Sequence, residues 1–265
     1  MKRSTLEKFL QNTLNYEDFD DYCKNGLQIE GSENIKHIAF AVSFNLPILK
    51  KAIELNADAI IVHHGFFGKD YINLRGAKKE RIKLLLEKDI SLFGIHLPLD
   101  AHKKYGNNAQ LFSFLDAKIE KPYEVGFIGE NTKKYNINKI MDIFHEKLGV
   151  NNSFQKREEN SPSIFTPKFK HKFTYLDNGP KIPKKIAIVS GGAASWFEKA
   201  VDEGIDTYIT GEIDERIPAI SLETETNYIA LGHYYSEKVG VLALQKLIKN
   251  KYKVKTTFID IENIL

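Results

Sequence analysis

The sequence predicts an α/β protein made of two structurally related halves, with an α+β arrangement as the alternative. Three observations carry this. Short apolar runs at residues 38–42 (IAFAV) and 59–62 (AIIV) flank a helical pattern, and strand, helix and strand within about 30 residues form a parallel βαβ unit. Residues 36–64 then lie without gaps on residues 184–212, a constant offset of 148 that sets Ile38 on Ile186, Asp58 on Asp206 and Ile61 on Ile209. A second match, at offset 137, sets His96-Leu-Pro-Leu-Asp100 on His233-Tyr-Tyr-Ser-Glu237. Recurrence of this kind marks two related structural units.

The elements follow in order. Leu6, Phe9, Leu10 and Leu14 share one face of an opening helix that Ser4 or Thr5 can cap. After a polar stretch through Asn25-Gly26 comes the first strand, then a helix through Leu46, Leu49 and Ile53 that Asn56 ends. A helix over residues 81–87 leads to a third strand at residues 91–95, and a further helix over residues 105–116 opens after Gly106. Residues 120–180 are polar and rich in Lys and Asn, with a strand expected at residues 123–128. Ile137, Ile140, Met141, Phe144 and Leu148 then follow helical spacing, with His145 on the edge of their stripe. Residues 156–163 read as an exposed loop. The expected division is residues 1–122 plus 234–265 for one lobe and 123–233 for the other, with mostly parallel sheets and a metal cleft between the lobes.

Composition narrows the function. Hydrophobic residues at 42% and charged residues at 28% are ordinary for a folded globular chain. A net charge of +3 from 38 basic and 35 acidic side chains argues against a nucleic-acid binder, which needs a concentrated basic face. The KHKF stretch around His171 is the nearest thing to a basic patch and reads as solvated surface. One cysteine, Cys23, permits neither an internal disulfide nor a thiolate-only metal site. The first residues start basic but lack the apolar segment of a signal peptide, and no run has the length of a membrane span, so the expected location is the cytoplasm.

The polar residues with metal-binding chemistry fall where strands end. His63 and His64 close the second strand of the first half, and Glu212 stands opposite His64 in the second. His96 and Asp100 follow the third strand; His233 and Glu237 follow its counterpart. Ligands of parallel sheets bind at the carboxyl ends of strands. On a helix, His233 and Glu237 are four apart and face one way. Imidazole with carboxylate suits zinc, iron or manganese, and three His with two carboxylates suffice for two ions if one carboxylate bridges. The Ser190-Gly191-Gly192 run can cradle a phosphate but lacks the Walker lysine, and a tight turn is the better reading. His102 lies close enough to Asp100 to enter the pocket; Trp196 falls on an apolar helix position.

These residues resemble a known family, the hexameric dinuclear-metal-centre proteins related to the NGG1-interacting factor, also labelled GTP cyclohydrolase 1 type 2 homologues. The resemblance rests on Asn25-Gly26-Leu27-Gln28, Ile61-Val62-His63-His64-Gly65, His96-Leu97-Pro98-Leu99-Asp100, Gly106-Asn107-Asn108, Thr210-Gly211-Glu212 and Gly232-His233 with Glu237. It implies a toroidal homohexamer with two similar α/β lobes per subunit. It implies His63, His64, Asp100, His233 and Glu237 as ligands of two divalent ions, with His96 and Glu212 close by. One departure is Ser43-Phe44-Asn45, where many relatives carry an Asp, which questions any supporting role at this point.

The expected function is a metal-dependent hydrolase in which Glu212 or His96 moves the proton. Its substrate is a nucleotide or related small molecule, GTP with opening of the purine imidazole ring if the family label holds, with a phosphoester or a cyclic amide as an equal fit. The alternative is a non-catalytic ring protein that binds metal or a partner.

Overall fold

A computed structural model describes residues 1–68, 73–149 and 173–262, and the backbone alone at 168–170. The stretch at His171 and the segment 156–163 lie outside the described residues. By contacts the described residues divide into two compact units, one of residues 1–106 with those from 240 on, and one within residues 107–239.

The first unit opens with helix α1 (Arg3–Leu14), strand β1 (Gly26–Ile29) and strand β2 (His37–Ser43). Helix α2 (Leu46–Glu54), strand β3 (Ala59–His64), helix α3 (Gly76–Glu87), strand β4 (Ser91–Gly94) and the single-turn helix α4 (Leu97–Asp100) follow. The second unit begins with helix α5 (Asn107–Phe114), strands β5 (Lys118–Tyr123) and β6 (Gly126–Glu130), and helix α6 (Ile137–Leu148). It continues through strands β7 (Lys168–Lys170), β8 (Phe173–Leu176) and β9 (Lys185–Ile188), helix α7 (Phe197–Asp202), strand β10 (Thr207–Thr210), helix α8 (Ile217–Glu223) and strand β11 (Asn227–Ala230). Helix α9 (His233–Tyr252) starts in the second unit and ends in the first, where strand β12 (Lys255–Phe258) closes the chain's last pairing.

Sheet one has the order β1-β4-β3-β2-β12, with β12, β2, β3 and β4 parallel and β1 antiparallel at the edge. Alternate residues of β2 point to opposite faces. Ile38 and Phe40 pack with Leu6, Leu10 and Leu244, while Ala39 and Ala41 pack with Ile48, Leu49 and Leu85. Both faces are covered, which is why these strands read as unbroken apolar runs.

Sheet two has the order β5-β6-β9-β10-β11-β8-β7. Only β9, β10 and β11 are parallel; the flanking strands are antiparallel, so this sheet is mixed where mostly parallel was expected. The strand expected at residues 123–128 is instead a hairpin, β5 and β6, turning at Glu124, which takes the left-handed φ of 50°. That pairing makes β5 the edge of sheet two, whereas the sequence reading put residues 107–122 with the first lobe.

The internal repeat reaches individual hydrogen bonds. Asp58 Oδ2 accepts from the N–H groups of Lys36 and His37, and Asp206 Oδ2 accepts from those of Lys184 and Lys185. The helix before each second parallel strand is closed by a left-handed residue, Asn56 in one half and Gly204 in the other. One alignment shifts. Ala59 pairs with Ser91 and Thr207 with Asn227, so the third strands correspond at an offset one residue shorter than the 137 read from the histidines. His96 then matches Gly232, and His233 matches Leu97, the first residue of α4. The two helices start in register; their ligand-type residues sit at different helical positions.

The opening helix also differs in its cap. It starts at Arg3, Lys2 precedes it without a side-chain cap, and neither Ser4 nor Thr5 serves. Arg3 instead ties the start to Glu30, Glu33 and the Gly31 carbonyl. Among the described residues no helix is long and apolar enough to cross a membrane.

Candidate metal centre

In the first unit the carboxyl ends of β3 and β4 bring three imidazoles together. His63 is fully buried and His96 nearly so, while His64 is half-buried. Each offers a ring nitrogen, and these atoms lie within 4.8 Å of one another, a spacing at which one ion can be held. Asp100 is buried on α4, and its Oδ2 lies 3.4 Å from His63 Nε2.

Each ring is steered by a partner on its other nitrogen. His63 Nδ1 lies 2.9 Å from Ile95 O, His64 Nδ1 3.0 Å from Ser43 Oγ, and His96 Nδ1 2.9 Å from Asp21 Oδ1. A carbonyl, hydroxyl or carboxylate on Nδ1 is the usual orienting partner of a metal-binding imidazole. Ser43, which the sequence marked as a departure, therefore does touch a site histidine. Its neighbour Asn45 caps α2 by accepting from the Ile48 N–H.

Asp21 carries no signal in the sequence, and Gln28 shows only through its motif. The Asp21 side chain is 1% exposed. Burial works to raise its pKa, but hydrogen bonds from His96, the Cys23 N–H and Asn25, with the charge of His96, hold the carboxyl down at about 2. Its Oδ2 accepts from the Leu97 N–H and from Asn25 Nδ2, while Asn25 Oδ1 accepts from the His96 N–H. Gln28 Nε2 donates to the carbonyls of Lys24 and Phe66, and its Oε1 accepts from the Phe66 N–H. This amide packs so closely on Gly65 and Gly94 that a Cβ on either would meet it at 2.3 or 2.6 Å. The Asn25-to-Gln28 motif thus fixes the loops that carry His64 and His96. The only available sign was its place in the motif.

In the second unit His233 opens α9. Its Nδ1 lies 2.6 Å from Glu212 Oε1, and its Nε2 lies 3.0 Å from Glu237 Oε2, one helical turn on. Burial would lower the His233 pKa, but the Glu237 and Glu212 carboxylates more than reverse this and raise it to about 9. Glu237 is buried; Glu212 is half exposed, with its backbone carbonyl accepting from the Tyr228 hydroxyl. Ser236, fully buried between the two α9 residues, accepts from the Gly191 N–H and donates to the His233 carbonyl.

The Ser190-Gly191-Gly192 run faces carboxylates, not phosphate. A Cβ on Gly191 would stand 2.2 Å from Glu237 Oε1, and one on Gly192 would stand 3.3 Å from Glu212 Oε2. The Ser190 and Gly191 N–H groups already donate to Asn108 and Ser236. His102, expected near the pocket, is stacked on Tyr105 and accepts from the Lys104 and Tyr105 N–H groups. Trp196 packs at the edge of the second unit's core, as expected.

A family model described as Duf34/NIF3 (NGG1p interacting factor 3) matches residues 1–264. The chain belongs to the Duf34/NIF3 family. Its relatives include proteins named GTP cyclohydrolase 1 type 2 homolog from Yersinia pestis, 35% identical with 99% of each chain covered, and from Pyrococcus horikoshii, 36% identical with 98% of each covered. Among solved structures, protein ybgI, described as of unknown function, superposes with a TM-score of 0.86 at 33% identity over 100% of both chains. A protein from Thermus thermophilus matches with a TM-score of 0.86 at 27% identity, again over 100% of both. For this NIF3 chain, the His63, His64 and His96 group of the first unit can hold a metal ion.

Proposed function

We propose that this NIF3 protein is a metal-dependent hydrolase that holds two divalent ions per subunit through His63, His64, Asp100, His233 and Glu237. One observation carries the reading. In the three ligand imidazoles, those of His63, His64 and His233, Nδ1 is engaged by Ile95 O, Ser43 Oγ and Glu212 Oε1. This orients the rings so that Nε2 is the nitrogen that meets an ion. Imidazole nitrogen and carboxylate oxygen form a donor set for zinc, iron or manganese.

Divalent ions in such a set polarise an electrophilic centre and make water acidic enough to react near neutral pH. The chain supplies the rest. Asp100 and Glu237 balance the positive charge, and Asp21 keeps the His96 ring in place. Glu212, half exposed and bonded to His233 Nδ1, takes up and returns the proton, with His96 as the second proton carrier. The substrate is a nucleotide related to GTP, whose imidazole ring is opened by water; the name carried by the relatives supports this choice. A homohexameric assembly and a cytoplasmic location belong to the same reading.

The test is metal analysis of untagged protein, followed by incubation of the loaded protein with GTP and a panel of phosphoesters. About two ions per chain, reduced in His63→Ala and Glu237→Gln, is the expected result. Turnover no higher than that of His64→Ala would leave a non-catalytic metal-binding protein.

A further inference from the structure

We infer that Tyr22 and Phe67 form an aromatic platform on which a planar heteroaromatic ring of purine type stacks while it is held at the His63, His64 and His96 cluster. The inference rests on the reading above, that this cluster bears the substrate.

Tyr22 is 70% exposed, the most exposed of the large hydrophobic side chains among the described residues. A lone exposed tyrosine would mean little. This one is held on both sides. Before it, the buried Asp21 carboxylate grips His96; after it, Cys23 is buried and forms a β-bridge with Phe67. The Tyr22 carbonyl itself accepts from the Gly68 N–H at 3.0 Å.

The ring is stacked on Phe67 at 5.1 Å and 27°, and meets the His96 ring edge-on at 5.1 Å. Phe67 in turn lies 5.7 Å from the His96 ring and 6.2 Å from that of His64. A continuous aromatic surface therefore runs from the imidazoles to solvent. Such a surface accepts any flat π-system without demanding hydrogen bonds, and stacking of a base on a side chain is a substantial, sequence-tolerant contribution. An acyclic phosphoester or a bare polyphosphate would gain nothing from it. The surface selects a ring.

The test uses the full-length, metal-loaded protein and calorimetric titration with GTP and, separately, inorganic triphosphate. Tyr22→Ala should weaken GTP binding roughly ten-fold, leaving triphosphate binding and metal content as in the unaltered protein, while Tyr22→Phe should keep the GTP affinity. Equal losses for both ligands, no loss for GTP, or an unaltered protein that binds GTP no better than triphosphate would each overturn the platform. Metal content separates the two readings. If His63→Ala retains its metal, the metal reading itself fails; if metal falls there while Tyr22→Ala shows no ring-specific loss, only the platform fails.

Discussion

Asp21 receives the Nδ1–H of His96 on one carboxylate oxygen at 2.9 Å and the N–H of the next residue, Leu97, on the other at 3.0 Å. One buried carboxylate therefore sets both the ring and the backbone of a site histidine. Asp21→Asn keeps the size but loses the charge, and an amide cannot accept at both ends. Turnover by the metal-loaded protein should fall by roughly 10- to 100-fold, the usual effect of losing an orienting partner at a metal site, while the far-ultraviolet circular dichroism stays that of the parent. Unchanged turnover at equal metal content would mean that His96 does not depend on Asp21.

Gly191 has a left-handed φ of 72°, and a Cβ there would sit 2.2 Å from Glu237 Oε1. Gly191→Ala should therefore cost about 1–2 kcal/mol from the backbone alone and also displace the Glu237 carboxylate. Gly204 separates the two effects. Its φ of 73° is nearly the same, but the nearest atom to an added Cβ is Lys185 Nζ at 3.9 Å. Gly204→Ala should lower thermal stability by a similar amount and leave metal content intact, whereas Gly191→Ala should lose both. Equal metal content in the two variants would remove Glu237 from the ligand set.

Asp58 and Asp206 perform one task twice, each accepting two backbone N–H groups where a parallel strand begins. Replacing either by Ala leaves two strand-end donors without that acceptor and should cost about 1–3 kcal/mol. The two sets share no partner, so the double variant should show the sum of the single effects within about 0.5 kcal/mol. Denaturant melts read at several probes would reveal a departure from additivity.

The parts legible in the sequence were those set by local pattern. Residues 38–42 and 59–62 announced buried strands because both faces of sheet one are covered, and His63 and His64 stood out because they sit at the carboxyl end of a parallel strand, where ligands of such sheets bind. Glu212, His233 and Glu237 were legible through spacing. What stayed hidden depends on long-range pairing. The β5–β6 hairpin was invisible because Glu124 carries no glycine signal at its left-handed turn. The edge strand β1 was missed because four residues beside a polar stretch give little periodicity. Asp21 lies 75 residues from His96 in the chain, and only the fold brings them together. The one-residue slip between the His96 and His233 segments came from matching chemistry where strand register was the better guide.

His233 carries the clearest pH signature. Its pKa is raised to about 9 by Glu237 and Glu212, against an ordinary value of 6.5. A raised folded-state pKa contributes stability that is fully present below about pH 6.5 and is lost as the pH climbs through 9. Metal-free protein should therefore lose thermal stability across this window, relative to a His233→Asn variant that lacks the titration. An ion needs the neutral imidazole, so at pH 7 loading must expel the His233 proton. Apparent metal affinity should then rise about ten-fold per pH unit up to 9 and level off above it. Calorimetry in buffers of different ionisation enthalpy should count close to one proton released from this site at pH 7. A flat affinity between pH 7 and 9 would show that His233 does not give up a proton to the metal.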